Sequence, residues 1–131
     1  MNACVAVCMA HAAAPADLLT FKTAARDISQ WLVSVRRDLH QIPELLFQEH
    51  KTSARLREYL LELDIPVQSP YAKTGLVGRI GKGKPVVALR ADMDALPVLE
   101  PPGVDYRSQH EGRMHACGHD GKLWALQKQQ Y

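Results

Sequence analysis

The chain lacks most of the features that would reveal a function at once. It holds three cysteines, Cys4, Cys8 and Cys117. That odd, sparse count excludes a disulfide-built scaffold. No stretch approaches the ~20 consecutive apolar residues of a membrane-spanning helix. A net charge of +2, with basic residues scattered, provides no electrostatic footprint for nucleic acid or a membrane surface. Gly81-Lys82-Gly83 lacks the full glycine fingerprint of a phosphate loop and reads as a surface turn. No C-x-x-C pair occurs, which argues against a structural zinc finger. Repeats and low-complexity tracts are absent.

What remains is ordinary for one globular domain: 131 residues, 47% hydrophobic and 23% charged. Residues 1–16 read as the end of a secretory signal or an irregular, partly helical N-terminus. They are apolar, with small residues at Ala12-Ala13-Ala14, but carry no basic n-region. From Asp17 the apolar residues Leu18, Phe21, Ala25, Ile28, Trp31, Leu32, Val35 and Leu39 recur at helical spacing. Pro43 ends that helix, because the residue before a proline is driven out of helical geometry. A second helix is predicted over Thr52–Leu63, capped by Thr52 or Ser53. Three β-branched runs follow, Val67–Tyr71, Leu76–Ile80 and Pro85–Arg90. Gly75 and the 81–84 turn separate them and predict a hairpin. Val86-Val87-Ala88-Leu89 reads as a buried strand, and residues 97–112 as a long loop. Two helices and then a mixed sheet make an α/β domain.

The chemistry-bearing residues cluster in two places. Asp92 and Asp94 follow the last strand, and α/β proteins place their sites at strand carboxyl ends. They could bind a cation or orient a histidine ligand; a turn with one capping and one solvated Asp is the alternative. Near the end stands Met114-His115-Ala116-Cys117-Gly118-His119-Asp120-Gly121. Thiolate and imidazole are both good ligands for zinc-like ions. In an extended segment Cys117 and His119 point the same way, toward one ion or one each of a pair. The alternative is a buried cysteine beside an exposed histidine. His40, His50 and His110 read as solvated or hydrogen-bonded, and His115 has no assigned task.

Several segments share one order: Trp31–Arg37, then His40-Gln41-Ile42-Pro43-Glu44-Leu45, Ala72–Gly75, Val86–Pro97 and Gly112–Gly121. In that order they resemble the N-terminal part of the plant IAA-amino acid hydrolases. These auxin-conjugate amidohydrolases fall in the aminoacylase/carboxypeptidase metallopeptidase group. The resemblance implies an α/β catalytic domain bearing a smaller inserted domain. It implies amide hydrolysis of a small-molecule substrate, an indole-3-acetyl amino acid, at a pair of divalent metals, manganese by family habit. It assigns Cys117 and His119 as metal ligands and Asp94 as an acid beside the metals, with Asp92 its companion. Family habit also implies the endoplasmic reticulum or secretory pathway.

The chain departs from the family pattern after Gly121. Lys122 stands where the family has histidine, and no Glu-Glu pair occurs anywhere. The expected organisation is therefore residues 1–16 as above, 17–121 as a partial, truncated catalytic domain, and 122–131 as a divergent tail. Two ligands and no general base predict an inactive chain. The alternative is a non-catalytic product that binds metal weakly or pairs with the full-length enzyme.

Overall fold

The computed structural model describes residues 4–10 and 18–125. The apolar stripe that begins at Leu18 forms two helices, α1 (Leu18–Asp27) and α2 (Ser29–Gln41), rather than the single helix expected. The break lies at Ile28, whose backbone stays right-handed at φ −94° and ψ −6°. Ser29 Oγ donates to the Arg26 carbonyl at 2.8 Å, the local side-chain competition that unsettles a helix at serine. Gln41 ends α2 as Pro43 requires, with Ile42 at φ −118° and ψ 50°. The buried stripe of α2 is Val35, Leu39 and His40.

The next helix, α3 (His50–Glu62), starts two residues before the predicted cap. Neither Thr52 nor Ser53 caps it. The buried Glu44 carboxylate does, accepting the N–H of Lys51 at 3.1 Å and the N–H and hydroxyl of Thr52 at 2.8 and 2.9 Å. This cap lies six residues upstream of the helix and answers the free N–H groups every helix start exposes. Trp31 meets Tyr59 edge-on at 6.0 Å, and the Tyr59 hydroxyl donates to Asp38 at 2.9 Å, which ties α3 to α2. Burial, then the Asp38 bond, pushes the Tyr59 phenol up to about 12.

Four strands build the sheet: β1 (Cys4–Ala10), β2 (Val67–Tyr71), β3 (Gly75–Gly81) and β4 (Val87–Asp92), in the order β2-β3-β1-β4. Cys4–Ala10 is thus a central strand, not the signal segment or irregular terminus expected there. It runs parallel to β3, Val5 opposite Leu76, and antiparallel to β4, Cys4 opposite Asp92. The hairpin expected across residues 81–84 does not form, because β1 lies between β3 and β4 and takes the facing edge of each. The hairpin that does form joins β2 to β3, at the separation the sequence marks with Gly75. The sheet is mixed, as predicted.

The core lies between α2, α3 and this sheet: Val35, Leu39, Leu56, Leu60, Ile65, Leu76, Ala91 and Met93. Each fully buried leucine contributes roughly 1.5–3 kcal/mol relative to exposure. The expectation of a buried Val86–Leu89 run fails, since Val86 and Val87 are 45% and 58% exposed. β4 is an outer strand, and only its last residues, from Ala91, pass under cover. The long loop is real and longer than expected, from Met93 to Gly118, before α4 (His119–Ala125). Among the described residues no helix is long and apolar enough to cross a membrane.

Candidate metal centre at the end of β4

The loop after β4 is pinned at both sides. Ala95 donates its N–H to the Glu44 carbonyl at 2.7 Å. Leu96 and Met114 exchange two backbone bonds, each 3.0 Å, which lays residues 94–96 beside the segment that leads into α4. That bridge brings Asp94 and His119 together. His119 Nδ1 donates to the Asp94 carbonyl at 2.9 Å and lies 3.2 Å from Asp94 Oδ1. A histidine whose Nδ1–H is held by a carbonyl presents Nε2 with its lone pair free, the form that binds metals. Asp94 Oδ1 is buried and has no hydrogen-bond partner of good geometry.

The remaining predicted residues are placed differently. Asp92 pairs with Arg90 and does not join Asp94 and His119. Cys117 is exposed and unoxidised, while the His119 side chain is only 16% exposed. The alternative of a buried cysteine beside an exposed histidine is therefore reversed. Gly118 between them adopts φ 72°, a left-handed conformation that glycine enters without strain. Among the described residues no group of three His, Cys, Asp or Glu side chains is arranged to hold a metal ion.

Two residues given no role in the sequence stand out. His115 is 3% exposed, and neither ring nitrogen has a partner. Burial dominates its titration and, with the charges of Asp120 and of His40 and His119 acting in opposite directions, pulls the imidazole down to about 4. It is neutral at pH 7. His40, expected to be solvated or simply hydrogen-bonded, is the centre of a buried ionic network. Its Nδ1 lies 2.7 Å from Asp120 Oδ2 and its Nε2 2.9 Å from Glu100 Oε1. Arg36 Nε approaches the same Asp120 oxygen at 3.4 Å. Burial alone would raise the Glu100 carboxyl, but the Ser108 N–H and His40 outweigh it and hold it below its usual value. The one sequence signal was the four-residue spacing of Arg36 and His40, which puts both on one face of α2.

The profile of peptidase family M20/M25/M40 matches residues 88–125, the stretch that carries Asp94, Cys117 and His119. The match continues four residues into the segment expected to diverge. The chain resembles the N-terminal portion of this family's proteins. It is 46% identical over 101 residues to the IAA-amino acid hydrolase ILR1-like 2 of Arabidopsis thaliana, covering 76% of this chain and 23% of the relative. It is 51% identical over 96 residues to the N-acetyldiaminopimelate deacetylase of Halalkalibacterium halodurans, covering 68% and 25%. The solved structure of the Bacillus subtilis YXEP protein, a dinuclear metal-binding peptidase of family M20, superposes with a TM-score of 0.63 at 38% identity. That superposition covers 72% of this chain and 27% of the Bacillus chain. The chain spans about a quarter of the length of the relatives it matches.

The M20 relationship supports a divalent metal as the family's cofactor. The donors here fit part of such a centre. His119 offers Nε2, Cys117 an accessible thiol, and Asp94 a buried oxygen with no other hydrogen-bond partner. Two such donors and a neighbouring acid fall short of a closed coordination sphere.

Proposed function

We propose that this chain carries the Cys117–His119 half of the metal centre of an amidohydrolase that releases indole-3-acetate from its amino-acid conjugates. The observation that carries the reading is the Asp94–His119 contact, a histidine fixed by a carbonyl at the carboxyl end of β4 with an unpartnered carboxylate oxygen beside it. Cys117 and His119 hold metal, and Asp94 is the acid that orients His119. The auxin-conjugate substrate class follows from the likeness to the Arabidopsis hydrolase. When bound, a divalent pair, manganese in the complete enzyme, supplies Lewis acidity toward the amide carbonyl and an activated water. The chain's own residues hold that metal from one side. The further ligands and the general base have no counterpart among the described residues, so residues 1–131 alone bind metal weakly and do not turn over. Their setting in a complete enzyme is the secretory pathway.

The test is a cobalt(II) titration of the purified chain, followed by the thiolate-to-metal absorption band. The band is expected in the native chain and absent in Cys117→Ser and His119→Ala. A native chain with no band overturns the metal assignment. Manganese-dependent release of indole-3-acetate from its alanine conjugate by residues 1–131 overturns the claim that they are inactive alone.

A further inference from the structure

We infer that His40 is a positioning residue for the Cys117-Gly118-His119 segment, acting through Asp120. The inference rests on the reading of Cys117 and His119 as metal donors. His40, Glu100 and Asp120 are 3%, 5% and 0% exposed. Burying ionisable groups is costly, and such networks are often no more stable than apolar packing of the same volume. Stability alone is therefore a poor reason for this arrangement, and what it fixes in space is the better one.

The network fixes the start of α4. Asp120 Oδ2 faces His40 Nδ1 and Arg36, while Oδ1 accepts the N–H of Gly121 at 2.9 Å. Both carboxylate oxygens are thus engaged, which locks the side chain in place. The backbone just before it is held as well, since the Gly118 carbonyl accepts the N–H of Gly121 and of Lys122, each at 3.1 Å. His119 therefore sits between two anchors. Its ring is held by Asp94, and its backbone is continuous with Asp120, which α2 holds through His40. The other ring nitrogen of His40 serves a separate element. It meets Glu100, whose second oxygen accepts the Ser108 N–H at 2.5 Å and closes the 100–108 loop.

The two contacts of His40 are separable by substitution. Asparagine places an N–H donor where Nδ1 stands and offers nothing to Glu100. Glutamine places one where Nε2 stands and offers nothing to Asp120. In cobalt(II) titrations of the full chain, His40→Asn is expected to keep native affinity within about threefold. His40→Gln is expected to weaken cobalt binding by about 10–100-fold, the range for residues that orient a metal ligand. A merely structural role would instead lower metal affinity in both variants in step with their thermal unfolding midpoints. Equal affinity in both variants and the native chain overturns the inference while leaving the metal site intact. No thiolate–cobalt band in the native chain overturns the metal reading, and this inference with it. Glu100→Gln and Asp120→Asn repeat the test without touching His40, should the His40 variants fail to fold. The first is expected to keep affinity and the second to lose it; the opposite order refutes the positioning role.

Discussion

Glu44→Ala should be among the most damaging single substitutions at any polar position in this chain. The side chain is 8% exposed, and its carboxylate is the acceptor for three donors at the start of α3. Alanine removes the acceptor and leaves two backbone N–H groups and the Thr52 hydroxyl to find water at a largely buried place. Loss of an ordinary helix cap costs ~1 kcal/mol. A charged acceptor at a helix start adds roughly 0.3–1 kcal/mol through the helix dipole, and each stranded buried donor costs about 1–3 kcal/mol. Allowing for partial rehydration, a net loss of ~3 kcal/mol is expected. For a chain of 131 residues that lowers the unfolding midpoint by on the order of 10 °C.

The assay is urea and thermal unfolding at pH 7, followed by circular dichroism. A chelator is present so that bound metal does not mask the change. Glu44→Gln keeps one acceptor oxygen and should lose about half as much. Thr52→Val removes one donor and should cost ~1 kcal/mol alone, but close to nothing on top of Glu44→Ala, because the partner is already gone. A loss under ~0.5 kcal/mol for Glu44→Ala, the ordinary range for surface positions, would refute the reasoning. So would full additivity with Thr52→Val.

Two further outcomes test other parts of the fold. A Cβ on Gly75 would lie 2.7 Å from the Tyr71 carbonyl oxygen and 2.8 Å from that of Cys4, both backbone; Gly75→Ala should therefore cost more than ~2 kcal/mol, and a native unfolding midpoint would mean β1 does not run against β3. His115 has its folded value lowered from 6.5 to about 4, so the unfolded chain takes up a proton first as pH falls. Its contribution is complete above about 6.5 and is lost as pH falls toward 4, with a total on the order of 3 kcal/mol. The stability of the native chain relative to His115→Leu, measured with chelator from pH 7 to 4, should fall by about that amount; a flat difference would show that the imidazole is not held neutral by burial. Glu100, held below its usual value, adds a loss at still lower pH.

The sequence made local features legible and hid the long-range ones. The bodies of α2 and α3 followed from apolar spacing, because a helix stripe is written every three or four residues. The start of α3 did not, since its cap comes from Glu44 and not from the nearest threonine or serine. The hairpin between β3 and β4 was misread because turn residues record a change of direction, not which strand occupies the facing edge. That strand is β1, some seventy positions upstream in its pairing with Leu76. Val86 and Val87 looked buried because an apolar run does not record whether a strand is central or outer. Asp94, Cys117 and His119 were legible as a motif, and the contact between Asp94 and His119 is present. His40 was not, because its partners stand 60 and 80 positions away and nothing local marks them.

Glu44 also joins the stability of the fold to the chemistry at its edge. Its side chain caps α3, and its carbonyl accepts the Ala95 N–H one residue beyond Asp94. The carbonyl of Asp94 in turn sets the tautomer of His119. On the proposed reading of His119 as a metal donor, Nε2 is held ready by a chain of contacts that starts at the cap of a core helix. Such preparation lowers the ordering cost that a metal would otherwise meet on binding. A substitution that removes the Glu44–Ala95 backbone bond should therefore weaken metal binding beyond its effect on stability. Glu44→Ala leaves the carbonyl in place, so it should lower stability far more than cobalt affinity. Ala95→Pro removes the N–H that the Glu44 carbonyl accepts and should lower both. Comparison of the two in the same cobalt titration separates the cap from the bridge, and equal affinity in both variants would show that the Ala95 contact does not place Asp94.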